Sequence, residues 1–232
     1  MIDNNVELIK RKSTVLFHSD WHKGVVGIVA SRLIEKYYRP TIVLTEANGK
    51  ATGSARSVKD FDVYNAIEAC SDLLEQFGGH KYAAGVTLKL ENIEAFQKRF
   101  EEVVSVTIED HMLIPEIEID AALKLDEITP KFFRILKQFE PFGPDNMSPV
   151  FMTEGLMDKG YVRIVGNNHL KMDLQSATNP QENFPAIAFG QGQHFDNVLR
   201  KKIFSACYAI EENEYNGKIS LQLNVKDMKV TN

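Results

Sequence analysis

The residues of this chain with the clearest chemistry are a histidine and an arginine set among glycines and hydroxyls. Residues 77–85 read FGGHKYAAG and residues 53–57 read GSARS. Glycine lacks the Cβ that would hold a ligand away from the backbone. His80, behind Gly78 and Gly79, can therefore project from a turn toward a charged group. In the second run the planar fork of Arg56 suits phosphate oxygens; Ser54 and Ser57 add hydroxyl donors, and Gly53 lets the loop come close. His22 and Gly24 stand where a helix is expected to begin, and exposed N–H groups and the helix dipole make such a place favourable to anions. Each feature has a plainer alternative: a solvated arginine, a surface histidine, a simple capped helix start. Their shared position at the element boundaries of one α/β unit favours a common phosphate-handling rim.

Other chemistries are excluded or set aside. HSDWH (18–22) spells His-x-Asp-x-His, but a helix start at Asp20 breaks the strand register that would aim all three side chains one way. No D-x-D or D-H-H cluster offers ligands for a pair of divalent metals, and neither a nucleophile elbow nor a Walker loop is present. No metal is expected on this chain.

The 232 residues can bury a core in one large or two ordinary domains. Net charge is −5, spread evenly, with 14 basic against 16 acidic residues up to His111 and 13 against 16 beyond it. Any nucleic-acid site must then be a local patch rather than a global basic field. Cys70 and Cys207 each lie in an apolar segment and read as buried free thiols of a reducing compartment. No signal-peptide layout or membrane-length apolar run is present, so a cytoplasmic protein without a membrane partner is expected.

The elements that must position these residues follow from periodicity. TVLFH (14–18) and TIVLT (41–45) read as buried strands around a helix over 25–38, capped by Asp20, whose stripe is Val25, Ile28, Val29, Leu33, Ile34 and Tyr37. KATGSARS reads as a strand entering a loop. A helix from about Asp62 to Phe77 is expected to end at Gly78 and Gly79, leaving His80 just past its C-terminus. GVTLKL (85–90) is a strand, and Asn92 caps a helix carrying Ile93, Phe96, Phe100, Val103 and Val104. The spacing predicts an α/β domain over 1–111, a mixed sheet with flanking helices.

From 112 to 232 strands dominate. IPEIEIDAALKL (114–125) alternates, PKFFRILKQF (130–139) is a short helix, and YVRIV (161–165) and HLKMDL (169–174) flank the hairpin signal Gly166-Asn167-Asn168. PAIAFG, IFSACYAI and a hairpin through NEYNGK complete a mainly β, OB-like barrel domain. Arg163, His169 and Lys171 share the outward phase of one hairpin with Tyr161 beside them. That is either a solvated polar face or a single-strand platform of phosphate-neutralising and base-stacking groups. Phe142 and Phe151 read as packing residues.

The string WHKGVVGIVASRLIEKYYRPTIVL, then GSARS, then FGGHKYAAGVTL resembles the DHH-associated domain of the RecJ family of single-stranded-DNA exonucleases, within the DHH phosphoesterase superfamily. EPFGPDNMSPVF, VGNNHLKMDL and NEYNGKISLQL extend the resemblance to that family's OB-type domain, so it covers nearly the whole chain from about residue 14. PFGPDNMSP departs from the family's usual PFG-x-GNP-x-P.

The resemblance implies a 5′-to-3′ exonuclease of DNA repair and recombination, dependent on manganese or magnesium held by an upstream DHH domain of the same polypeptide. That domain is absent from this chain, which is then expected to be catalytically silent by itself. Residue by residue, Ser54 and Arg56 match the loop that holds a 5′ phosphate, and His80 matches the residue facing the substrate phosphate, with Gly78 and Gly79 giving close approach. Single-stranded DNA is the implied partner. A stand-alone single-strand-binding module, and a fragment of an oligonucleotide or cyclic-dinucleotide phosphoesterase, are the competing readings.

Overall fold

A computed structural model describes residue 2 and residues 6–143, 145–180 and 183–231. Its internal contacts divide the chain into two units, Met1–Glu116 and Ile117–Asn232.

The first unit opens with α1 (Val6–Lys10), β1 (Thr14–Phe17), α2 (Val26–Tyr37) and β2 (Thr41–Ala47). It continues with β3 (Lys50–Arg56), α3 (Val63–Glu68), β4 (Gln76–His80), β5 (Ala83–Lys89) and α4 (Ile93–Thr107). The strands form one sheet in the order β1-β2-β3-β5-β4, with β1 and β2 parallel and the others antiparallel. Because alternate residues face opposite sides of a strand, Ile42, Leu44, Ala51, Ala55, Ala84, Val86 and Leu88 share one buried core with α3 and α4, which contribute Ile67, Phe96, Phe100 and Val104. The opposite face carries Thr52, Ser54 and Arg56. α2 covers part of that face, with Val26 and Ala30 packed on Val43 beside Trp21 and Leu33.

Several expectations need correction here. α2 turns inward on Val26 and Ala30, and Val25, Ile28 and Val29 of the expected stripe are exposed. Small residues face the sheet because the helix lies close to it: a Cβ on Gly27 would stand 3.0 Å from Arg56 Nη2. Asp20 is not the cap; the N-cap position belongs to Val25, which has no side-chain cap, and Asp20 accepts instead from Ser19 Oγ at 3.0 Å. Asn92 does occupy the N-cap of α4, yet its amide donates to Leu73 O at 3.0 Å rather than capping.

The largest difference concerns residues 62–77. Asp62 caps α3 through the Asn65 amide, but the helix ends at Glu68, a 3-10 turn takes Ser71–Leu73, and residues 76–80 form β4. Leu73, Leu74 and Phe77 pack against the core at spacings that also fit a helix, which explains the misreading. What decides the strand is the pair Gly78-Gly79, costly in a helix, whose backbone groups pair with Gly85 and Ala84 across the hairpin. Gly79 has φ 152°, and a Cβ there would meet Ala83 O at 2.3 Å.

In the second unit the strands and helices are β6 (Ala121–Ala122), α5 (Pro130–Leu136), β7 (Phe151–Asp158), β8 (Arg163–Val165) and β9 (His169–Ser176). β10 (Asn183–Ala188), α6 (Phe195–Leu199), β11 (Phe204–Tyr215) and β12 (Lys218–Val230) follow. Five strands pair in a closed circuit, β7–β9–β10–β12–β11 and back to β7, with only the β10–β12 seam parallel. This is an OB-like arrangement around Leu156, Leu170, Leu174, Ala186, Phe204, Tyr208 and Leu223. The buried Tyr208 hydroxyl is satisfied by Thr153 Oγ1 at 2.6 Å. The strand expected over 114–125 shrinks to Ala121–Ala122, because only there does the backbone find a ladder partner, in β7. Phe151 is core, and Pro144 of the PFGPDN loop lies outside the described residues.

Both cysteines are free and buried, and burial pushes the Cys70 thiol up to about 11, far from a nucleophile's range. Among the described residues no helix is long and apolar enough to cross a membrane.

Candidate phosphate and nucleic-acid sites

Strand register sets the first site. Across β3, β5 and β4 the paired residues run Arg56–Ala83–His80, then Ser54–Gly85–Gly78, then Thr52–Thr87–Gln76, all on the face opposite the core. Two strand spacings separate Arg56 from His80, roughly 10 Å between backbones. Arg56 Nη1 donates to Ser54 Oγ at 2.6 Å and to Ala55 O at 2.8 Å, which fixes the plane of the guanidinium beneath the first turn of α2. His80 is exposed at the end of β4, where the Tyr82 amide donates to its Nδ1 at 3.3 Å. With Nδ1 accepting, the proton of the neutral ring sits on Nε2, as a donor for an anionic oxygen.

In the next row along the strands, beside Ser54, the floor is bare. Gly78 and Gly85 are exposed, and a Cβ on Gly78 would meet nothing within 4 Å, while one on Gly85 would reach only two carbonyl oxygens at 4.0 Å. Packing gives no reason for glycine at either position; an open floor for a ligand does. A shallow pocket of about 350 Å³ lies over these glycines and the row beyond them, lined by Lys23, Thr52, Gly53, Gln76, Gly78, Gly85 and Thr87 among others, with Ser54, Arg56 and His80 next to it along the strands.

The structure thus brings Ser54, Arg56, Gly78 and His80 onto one sheet surface, although His80 stands at a hairpin end and not behind a helix; Gly79, opposite Ala84, takes the core-facing phase instead, where a Cβ would meet Ala83 O and Ala84. Ser57 is drawn away: its hydroxyl donates to Phe61 O at 2.8 Å. His22 and Gly24 precede α2 and close on each other, the Gly24 amide donating to His22 Nδ1 at 3.1 Å. It is Lys23, between them, that lines the pocket. Lys23, Thr52, Gln76, Gly85 and Thr87 were not singled out from sequence, since their meeting depends on β4 being a strand.

The HSDWH residues are likewise occupied. His18 Nδ1 accepts from the Asp20 amide at 3.2 Å, and its ring stacks on Trp21. Among the described residues no group of three or more His, Cys, Asp or Glu side chains is placed to hold a metal ion.

The second site lies on the β8–β9 hairpin. Arg163 stands directly opposite Lys171, and with Lys159 and Tyr161 they line a pocket of about 300 Å³. Like charges placed opposite each other disfavour the bare hairpin, and a bound anion relieves that cost. Asp173 also lines this pocket, with its Oδ1 held by the Asn183 amide at 2.9 Å. His169, opposite Val165, is turned elsewhere: Nδ1 accepts from the Gly190 amide at 3.0 Å and its ring meets the exposed Phe189 edge-on.

One residue that sequence reasoning missed organises the loop. Asp158 is 2% exposed; its Oδ2 accepts from the amides of Gly160, Tyr161 and Val162 at 2.7, 2.7 and 3.0 Å, and Oδ1 accepts from the Asp173 amide at 2.8 Å. Four N–H donors satisfy the buried carboxylate and hold Tyr161 and Arg163 at the pocket rim. Asp158→Asn turns an amide against those donors and is expected to cost about 2 kcal/mol. Calorimetry should show the transition of the second unit lowered by roughly 8 °C or more, and an unchanged transition would refute this role.

The same two regions stand out in comparison with known proteins. Residues 10–106 match the family model of the DHHA1 domain, and residues 119–227 match that of the RecJ OB domain. The chain is similar to the single-stranded-DNA-specific exonuclease RecJ of Bacillus subtilis, 32% identical over all of this chain and 30% of that protein. To the Escherichia coli protein of the same name it is 32% identical, over 92% of this chain and 37% of that one. It spans about a third of the length of the relatives it matches, corresponding to their C-terminal portion. Among solved structures, RecJ of Thermus thermophilus in complex with manganese superposes with a TM-score of 0.76 at 27% identity, covering 96% of this chain and 31% of that one. A magnesium complex of the same protein gives the same TM-score. With a DHHA1 domain followed by a RecJ OB domain, the chain belongs to the RecJ family.

Proposed function

We propose that this chain is the substrate-binding portion of a RecJ-type 5′-to-3′ exonuclease that removes nucleotides from single-stranded DNA in repair and recombination. The observation that carries the reading is the bare glycine floor flanked by the Arg56–Ser54 pair and by His80. Arg56 and Ser54 hold the 5′ phosphate, Gly78 and Gly85 let the backbone come close, and His80 donates from Nε2 to an oxygen of the phosphate under attack. Lys159, Tyr161, Arg163 and Lys171 neutralise and stack on the single strand at the second unit. The reaction needs manganese or magnesium bound outside the described residues of this chain, on a DHH domain acting as its partner, in a cytoplasmic enzyme. This chain's own residues bind and orient; they do not cleave.

Two measurements on the purified chain test this. With a 5′-phosphorylated oligonucleotide and manganese, no nucleotide should be released; release would overturn the assignment of a purely binding role. The chain should bind that oligonucleotide with strong salt dependence. Replacing both Arg163 and Lys171 with alanine should lower the slope of log affinity against log salt by about 1.4, at ~0.7 per lost single-strand phosphate contact. A slope that does not move would remove the second unit from the interface.

A further inference from the structure

We infer that the DHHA1 sheet holds the base as well as the phosphate of one nucleotide, with the Thr52–Thr87–Gln76 row as the base-edge subsite. The inference rests on the assignment of a phosphate to the Arg56 row. Three same-face rows succeed one another along the strands: a charged row ending in Arg56 and His80, a bare row of Gly85 and Gly78, and an uncharged polar row. The outer rows are four residues apart, roughly 13 Å of strand. A phosphate, sugar and base laid end to end cover that span with side-chain reach to spare.

The chemistry of the far row suits a base and not a second phosphate. Thr52 and Thr87 lie opposite each other with hydroxyl oxygens 3.3 Å apart, and Gln76, exposed, stands opposite Thr87. Hydroxyl and amide groups each donate and accept, so they can meet the edges of any base without charge. The glycine row between them lets a planar group lie flat against peptide planes, where a Cβ would lift it away. The pocket that includes Gly85 and Gly78 also includes all three far-row residues and Lys23, so those two rows share one surface, and the charged row adjoins it one same-face step along the strands.

The test compares thymidine 5′-monophosphate with deoxyribose 5-phosphate, titrated into the chain and followed by NMR. The nucleotide should bind about tenfold more tightly, as one or two net hydrogen bonds imply. Gln76→Ala and Thr87→Val, made singly and together, should erase that difference while leaving sugar phosphate binding and the melting transition intact. Arg56→Ala should weaken both ligands. Equal binding of the two ligands, or a difference that survives the far-row substitutions, would overturn the base subsite while leaving the phosphate site standing. If neither ligand binds, the phosphate reading fails and the base subsite with it.

Discussion

Gly53→Ala is expected to unfold the first unit at a temperature at least 10 °C lower, while leaving the second unit's transition in place. A Cβ at this position would stand 2.0 Å from Val43 O, 2.8 Å from Val43 C and 2.9 Å from Leu44 Cα. All three are backbone atoms of β2, so no side-chain rotation relieves the clash. β2 cannot retreat cheaply, because Ile42, Val43 and Leu44 are each fully buried, on both faces of the sheet. Overpacking of a core costs typically 1–3 kcal/mol and more where main chain must move. At the upper end, about 3 kcal/mol, the shift for a domain of this size exceeds 10 °C. Calorimetry separates the two units, and an unmoved first transition would refute the clash. Gly78→Ala is the contrast: its methyl meets nothing, so the transition should stay within about 2 °C, yet the methyl fills the floor and thymidine monophosphate binding should fall.

The second large effect belongs to Arg56. Its hydrogen bonds to Ser54 and Ala55 orient the guanidinium before any ligand arrives, so a phosphate meets a fork already fixed in place. Hydrogen bonds to charged groups contribute about 1.5–3 kcal/mol. Arg56→Ala should therefore reduce the preference for a 5′-phosphorylated over a 5′-hydroxyl oligonucleotide by roughly 10- to 100-fold. Arg56→Lys should recover only part of it, since an ammonium lacks the planar fork. Competition binding of the two oligonucleotides at low salt measures the ratio directly, and a ratio that Arg56→Ala leaves unchanged would exclude this residue from the phosphate site.

What could be read from sequence was what short-range chemistry determines. The β1–α2–β2 unit and the hairpin around Gly166-Asn167-Asn168 follow from local patterning, and both are present. Ser54, Arg56 and His80 stand out in the sequence as glycine-flanked polar residues, and strand register places the three on one sheet face. β4 was not, since Leu73, Leu74 and Phe77 fit a helical stripe and only pairing with β5 shows that Gly78 belongs to a ladder. The far row of the pocket was lost with it, as register joins Thr52, Thr87 and Gln76 across segments distant in sequence. The inward face of α2 was misread because a helix lying close on a sheet presents Ala30 and Gly27, which carry little hydrophobic signal. Asp158 left no trace at all: an aspartate two residues before a glycine reads as a turn, and nothing local says its carboxylate is buried.

The closed strand circuit of the second unit has a kinetic consequence. The β9–β10 and β11–β12 ladders join neighbours in sequence and can zip as hairpins, but the circuit closes only when Phe151 reaches Tyr208 and Ala186 reaches Leu223. Such distant meetings carry the loop-closure entropy before any contact compensates for it. Refolding of this unit should thus wait on these two closures, so a substitution at either slows the return to the native state more than one in either hairpin turn. Until the seam forms, the edges of β10 and β12 stand unpaired, and that interval is when the chain is most open to associating with its neighbours.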